Sequence, residues 1–263
     1  MVTQYTTFLD MLPLWGLFLA TVVLVLASIE GGYRLGTYRH RQSGREKEAP
    51  VGAMVGATLG LLAFMLAFTF GMAAERFDTR KQLVLDEANA IGTTYLRTAM
   101  LPERRDEIRA LLRSYVDVRL EAVRSGRVAQ GILQSEDIQG KLWLAATAVG
   151  VQHPDSIVVG LFVASLNEVI DLHAKRVTAA LRNRIPAAIW AVLLTITVLS
   201  LAAMGYHAGL VGTIRSLAII VVAVAFSAVI ALIADLDRPT EGSLMVSQQA
   251  LIDVRQSMNP PEK

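Results

Sequence analysis

Four runs of apolar residues, each about the length that crosses a hydrocarbon core, dominate the chain: Met11–Ile29, Val51–Ala74, Ala187–Gly205 and Ser216–Ala234. None contains a charged residue. Between the second and third runs the pattern changes to helical periodicity with a polar face. Phe77, Val84, Ala88, Ile91 and Tyr95 fall on one side, and Ile108, Leu111, Tyr115, Val118 and Ala122 continue the pattern as far as Gly126. Pro102 with Glu103 reads as a helix restart, and Ser135 with Glu136 and Asp137 as another helix start. His153-Pro154 reads as a break, and a last long helix is expected from Asp155 to Ile185, continuing into the third apolar run. A short amphipathic tail helix carries Leu244, Leu251, Val254 and Met258. No strand alternation or fixed-period repeat stands out.

The pattern predicts an all-α membrane protein with four transmembrane helices and a helical soluble domain between the second and third. Its parts are a first transmembrane hairpin with a basic loop over 1–74, the helical domain over 75–185, a second hairpin over 186–238 and a tail over 239–263. The start of the chain lacks the positive n-region of a signal peptide, so the first run reads as a retained helix. Composition agrees. The chain is 53% hydrophobic with 18% charged residues and no cysteine, and its mean hydropathy is +0.46. Without cysteine there is no disulfide, thiolate nucleophile or Cys-based zinc site. Four separate histidines and a net charge of +2 give no ground for a metal centre, a cofactor or nucleic-acid binding. There is no phosphate-binding GxxxxGK[ST] loop and no HExxH pair.

The loop from Glu30 to Pro50 holds Arg34, Arg39, Arg41, Arg45 and Lys47 against three acids, and the other short hairpin holds Arg215. Basic short loops stay cytoplasmic. This count places the central domain and both termini outside.

Three groups of residues could carry function. Gly52, Gly56 and Gly60 are spaced four apart on the second helix, and Ala63, Ala67 and Gly71 extend that face. Small residues let backbones approach closely, either within one protomer or around a symmetric oligomer axis. Phe64 and Phe68 border the small face one turn apart, and Met72 continues the row; they form an apolar pore constriction or face lipid and core. Arg76, Asp78 and Arg80, with Glu75 and Lys81, follow where the helix leaves the membrane, as vestibule charges or as a solvated helix face. Glu168 and Asp171 share a face of the last polar helix, but His173 lies about 200° around from Asp171, so they make no catalytic constellation.

The stretch LGLLAFMLAFTFGMAAERFDTRKQLVLDEANAIGTTYLR, the NEVIDLHAKRVTAALRNRIP segment, the closing ADLDRPTEGSLMVSQQALIDVR and EGGYRLG after the first run resemble, in order, the bacterial bestrophin-like family, a domain of unknown function related to bestrophins. The resemblance covers nearly the whole chain. It implies four transmembrane helices, a homopentamer around a central pore, and conduction of small inorganic ions, often chloride, past an apolar neck on the second helix. Phe64 and Phe68 match that placement loosely. It also implies a cytosolic domain and termini, opposite to the charge count. The expectation is a multi-pass homo-oligomeric ion channel of a bacterial inner membrane, not an enzyme, with the bilayer and its own copies as partners. The rival is a membrane scaffold or sensor whose soluble domain binds a partner.

Overall fold

A computed structural model describes residues 12–42, 48–212, 217–239 and 242–259. Met11, the loop residues Arg45 and Lys47, and Arg215 and Ser216 lie outside the described residues. Every regular element among the described residues is a helix: α1 (Leu14–Gln42), α2 (Glu48–Arg97), a short 3₁₀ turn (Thr98–Met100), α3 (Arg105–Arg124), α4 (Val128–Gln152), α5 (Ile157–Leu181), α6 (Ala187–Val211), α7 (Ala218–Asp237) and α8 (Gln249–Ser257). Five of them are long and apolar enough to cross a membrane: α1, α2, α5, α6 and α7.

The chain divides into two compact units. Among the described residues, one contains 77–183 and 245–259; the other contains 12–76 and 184–244.

In the first unit, α3 is strongly amphipathic. Ile108, Leu112, Tyr115 and Val116 are fully buried, and Asp106 and Glu107 occupy its first turn, where acids complement the helix dipole. Gly126, at φ +70°, ends it, because a residue without a Cβ adopts the left-handed conformation at no steric cost. The chain restarts at Val128, seven residues before the start expected at Ser135. Ser135 is interior to α4, its hydroxyl donating to the Gly131 carbonyl at 2.7 Å. The apolar period running through Ile132, Ile138 and Leu142 decides the boundary over the capping signal. α4 ends at Gln152 before His153-Pro154, and the Ser156 hydroxyl then caps α5 by accepting from the Val159 amide. Val159, Phe162, Leu166, Val169 and Leu172 of α5 are spent on this unit's core, against Val84 and Ile91 of α2. α5 also carries Glu168, Asp171, His173, Lys175 and Arg176. The tail helix α8 buries Leu251 in the same core. The Tyr95 hydroxyl donates to the Met258 carbonyl at 2.9 Å, and Arg255 grips the Asp117 carboxylate through Nε and Nη2.

The second unit is built on α1, which packs against α6 and α7. The contact with α6 is made by glycines. Gly32 and Gly36 of α1 face Gly205 and Gly209 of α6, and a methyl group at any of the four would fall inside the van der Waals shell of a facing backbone carbonyl. The oxygens concerned belong to Ala202, Tyr206, Ile29 and Tyr33. These are two interlocked small-xxx-small pairs, the arrangement that lets membrane helices touch backbone to backbone. Toward α2, the Ser200 hydroxyl donates to the Thr58 carbonyl at 3.0 Å, and Val55, Leu62 and Leu66 are buried.

Two further expectations about helix ends fail. The basic stretch after the first apolar run is not all loop, since α1 continues through Arg34, Arg39 and Arg41 to Gln42. The last polar helix does not run on into the third apolar run. It stops at Leu181, and α6 begins only at Ala187, after Pro186. Proline has no amide hydrogen and pushes its predecessor out of the helical region. The freed Ile185 amide donates instead to Asp237 Oδ1 at 3.0 Å.

Candidate functional site

Val55, Leu62, Leu66, Thr69 and Ala73 form the buried side of the apolar part of α2. Gly56, Gly60, Ala63, Ala67 and Gly71 lie exposed on the other side, with Phe64 and Phe68 beside them. Phe64 is 64% exposed and Phe68 53%. Their rings stack with centroids 6.4 Å apart. Met72 is half-buried. A Cβ at Gly56, Gly60 or Gly71 would meet nothing in the protomer within 4 Å, whereas Gly52 faces the His207 ring. One protomer therefore leaves a ladder of small residues and two phenylalanines uncovered along several turns of helix.

Below this ladder the charges separate. Asp78 is exposed, while Arg80 is buried. Arg76 is largely buried, its guanidinium 3.8 Å from Asp237. Asp237 is itself 2% exposed and also accepts from Arg184 Nε at 3.0 Å. Asp235, two residues earlier, accepts from the Ser243 amide at 3.0 Å and from its hydroxyl. Gly242 passes so close to Asp235, at φ +145°, that no side chain would fit there. Asp235, Asp237 and Ser243 thus form a polar knot at the end of α7. The alternating charges gave no sign of it, because its partners come from three separate parts of the chain.

The other buried polar group is the larger one. Glu87, fully buried on α2, accepts from the Tyr115 hydroxyl at 2.5 Å, from Arg119 Nη2 at 3.3 Å and from Arg176. Tyr115 commits its only hydrogen to Glu87, so the 3.1 Å contact with His173 Nδ1 requires a hydrogen on that nitrogen. Gln139 Nε2 supplies the tyrosine oxygen's other donor at 3.4 Å. Arg176 also reaches Gln248 of the tail at 3.1 Å. Burial alone would raise the Glu87 carboxyl, but Arg119 and Arg176 hold it below the usual glutamate range. Burial, with Arg119 beside it, pushes His173 down to about 4. The histidine is therefore neutral, and the cluster keeps one carboxylate against two guanidiniums. Arg119 Nε and His173 Nε2 have no hydrogen-bond partner among the described residues. In the sequence His173 stands about 200° around the helix from Asp171 and shows no partner. The carboxylates of Glu168 and Asp171 are exposed, and Asp171 accepts from Asn167 at 3.1 Å. Only residues spread over four helices and the tail show what His173 faces.

A family model for the bestrophin-like domain matches residues 11–251. The chain belongs to the bestrophin-like family. Solved structures agree in fold. The crystal structure of a membrane protein carrying a proline-to-alanine substitution superposes with a TM-score of 0.64 at 17% identity, covering 92% of this chain and 95% of that one. Crystal structures of two point-mutant forms of a bacterial bestrophin homologue from Klebsiella pneumoniae give TM-scores of 0.64 and 0.61. Identities there are 16% and 18%, with 93% and 92% of this chain covered against 97% and 96% of theirs. No curated protein matches the chain. This bestrophin-like chain is a membrane protein with several apolar helices.

Proposed function

We propose that this bestrophin-like chain is a homo-oligomeric membrane ion channel, passing anions, with α2 lining the pore and Phe64, Phe68 and Met72 as its apolar neck. Four helices span the bilayer in this reading: α1, the Val51–Ala74 part of α2, α6 and α7. α5 lies outside it, because its apolar side is already used by the helical core and it carries five ionisable residues. The observation that carries the proposal is the uncovered ladder on α2. Small residues without a partner in the protomer suit a second copy of the same helix, and the adjacent stacked phenylalanines would then face a shared axis. A ring of such side chains gates by dewetting. A pentamer is the assembly the bestrophin resemblance implies, and of the three charges only the exposed Asp78 would lie toward the vestibule, since Arg76 and Arg80 turn into the protomer.

The test is chloride and sodium flux into liposomes holding the purified protein. Wild type should pass chloride, and Phe64→Ala or Phe68→Ala should raise the flux by widening and wetting the neck. Exposed phenylalanines that merely face lipid would leave the flux unchanged. No flux from wild type at any voltage would favour the partner-binding scaffold.

Gly56→Leu separates assembly from folding. Nothing in the protomer opposes a side chain there, so the helices should still form. The oligomer should be lost, seen as a drop to monomer mass in detergent. An intact Gly56→Leu oligomer would remove this face from the assembly.

A further inference from the structure

An open groove of about 650 Å³ runs between α2 and α5 in the helical unit. Leu83, Ala174 and Ala179 give it apolar walls, and Thr79, Lys175, Thr178 and Arg182 line it with hydroxyls and cations. No carboxylate lines it. Lys175 and Arg182 are seven residues apart, so they share a face of α5 with about 10 Å of rise between them. Neither side chain has an ion-pair partner among the described residues. The acid one turn before Lys175, Asp171, is bonded to Asn167.

The groove's place along the chain narrows its occupant. Thr79 is five residues past Ala74 on the same continuous helix, about 7.5 Å of rise beyond the end of the uncharged apolar run. Arg182 lies four residues before Pro186, where the next apolar run opens. The polar layer on each side of a bilayer is about 5–8 Å thick. The near end of the groove, at Thr79 and Arg182, therefore falls at headgroup depth if the apolar parts of α2 and α6 span the membrane, and Leu83 and Lys175 stand roughly 6–10 Å further out along their helices.

We propose that this groove binds the phosphodiester headgroup of an anionic phospholipid. Arg182 and Lys175 take the phosphate oxygens, Arg through its planar fork and Lys as a point charge. The Thr178 hydroxyl donates to the same group, and Leu83 and Ala179 pack against the carbons of the headgroup alcohol. A soluble anion would use the cations and leave the apolar wall bare. The inference rests on the reading that α5 stands outside the hydrocarbon.

The test uses the full chain, delipidated in detergent and titrated with phosphatidylglycerol or phosphatidylcholine, with bound lipid counted by native mass spectrometry. Phosphatidylglycerol should be retained in preference. Lys175→Ala and Arg182→Ala should each weaken it about fivefold. A charge-matched control, Arg124→Ala with Lys141→Ala, removes two exposed cations elsewhere on the unit and should leave retention unchanged. Equal retention of the two lipids, or equal loss in the control, overturns the site. So does full displacement of phosphatidylglycerol by inorganic phosphate, which would mean a free anion is the occupant. Because the chain has no cysteine, Lys175→Cys in permeabilised vesicles checks the underlying reading separately. Labelling by a membrane-impermeant maleimide places α5 in water. Absence of labelling would overturn the placement of α5 itself, whereas labelling without phosphatidylglycerol preference overturns only the lipid site.

Discussion

Gly205→Leu is expected to abolish folding of the unit built on α1, α6 and α7. Four carbons would be driven into the backbone of α1 at Ile29. Overpacking a core with side chains that can move costs about 1–3 kcal/mol. Here the obstacle is a carbonyl inside a continuous helix, which cannot rotate away. The helices would have to separate, and that breaks the Gly32, Gly36 and Gly209 contacts together. Expression with a fluorescent tag and size-exclusion chromatography should show aggregated or absent protein. Gly56→Leu, the same substitution on a helix of the same unit, should remain monodisperse as a monomer. A monodisperse Gly205→Leu protein melting at the wild-type temperature would show that the α1–α6 contact is not as drawn.

Glu87→Ala should be the most damaging change in the helical unit. It leaves Arg119 and Arg176 buried around a lost carboxylate, and breaking a buried ion pair from one side costs about 3–5 kcal/mol. That is a large share of the roughly 5–15 kcal/mol that holds a typical domain together. Glu121→Ala, which removes an exposed partner of Arg124, should cost under about 1 kcal/mol. Acid should act on the same cluster. His173 has a folded value of about 4 against an ordinary 6.5, so the folded state resists its protonation. The associated stability is whole above pH 6.5 and is lost as pH falls toward 4, by up to about 3 kcal/mol. Glu87, also held low, adds a loss of the same sign at lower pH. Thermal melting in detergent at pH of about 7 and about 5 should differ for wild type. The difference should shrink in His173→Gln. An identical pH dependence in His173→Gln would show that the histidine does not face the two arginines.

The helical class and the family were readable from local signals. Uncharged runs of membrane length identify α1, α2, α6 and α7, and four ordered blocks carry the bestrophin resemblance. α5 shows why such counting blurs. It is long and apolar enough to span a membrane on average, yet it carries Glu168 and Asp171 and its apolar residues Phe162, Leu166 and Val169 are consumed by a protein core. Boundaries went astray where two signals competed, as at Ser135. The small-residue ladder on α2 was visible because four-residue spacing lies within one helix. The tighter glycine contact was missed because each half, EGGYRLG or GYHAG, is short and meaningful only beside the other. The Glu87 cluster escaped for the same reason: Tyr115, Arg119, His173 and Arg176 each look like ordinary positions on separate amphipathic helices.

The glycine interlock also sets a timetable for biogenesis. Gly205 follows Gly32 by 173 residues (205 minus 32). At about 5–20 residues per second of synthesis, α1 waits roughly 10–35 s in the membrane before the helix made to fit it exists. Throughout that interval its bare backbone stripe is open to other small-faced helices. A fragment truncated in the central segment would therefore leave that stripe without the helix that covers it.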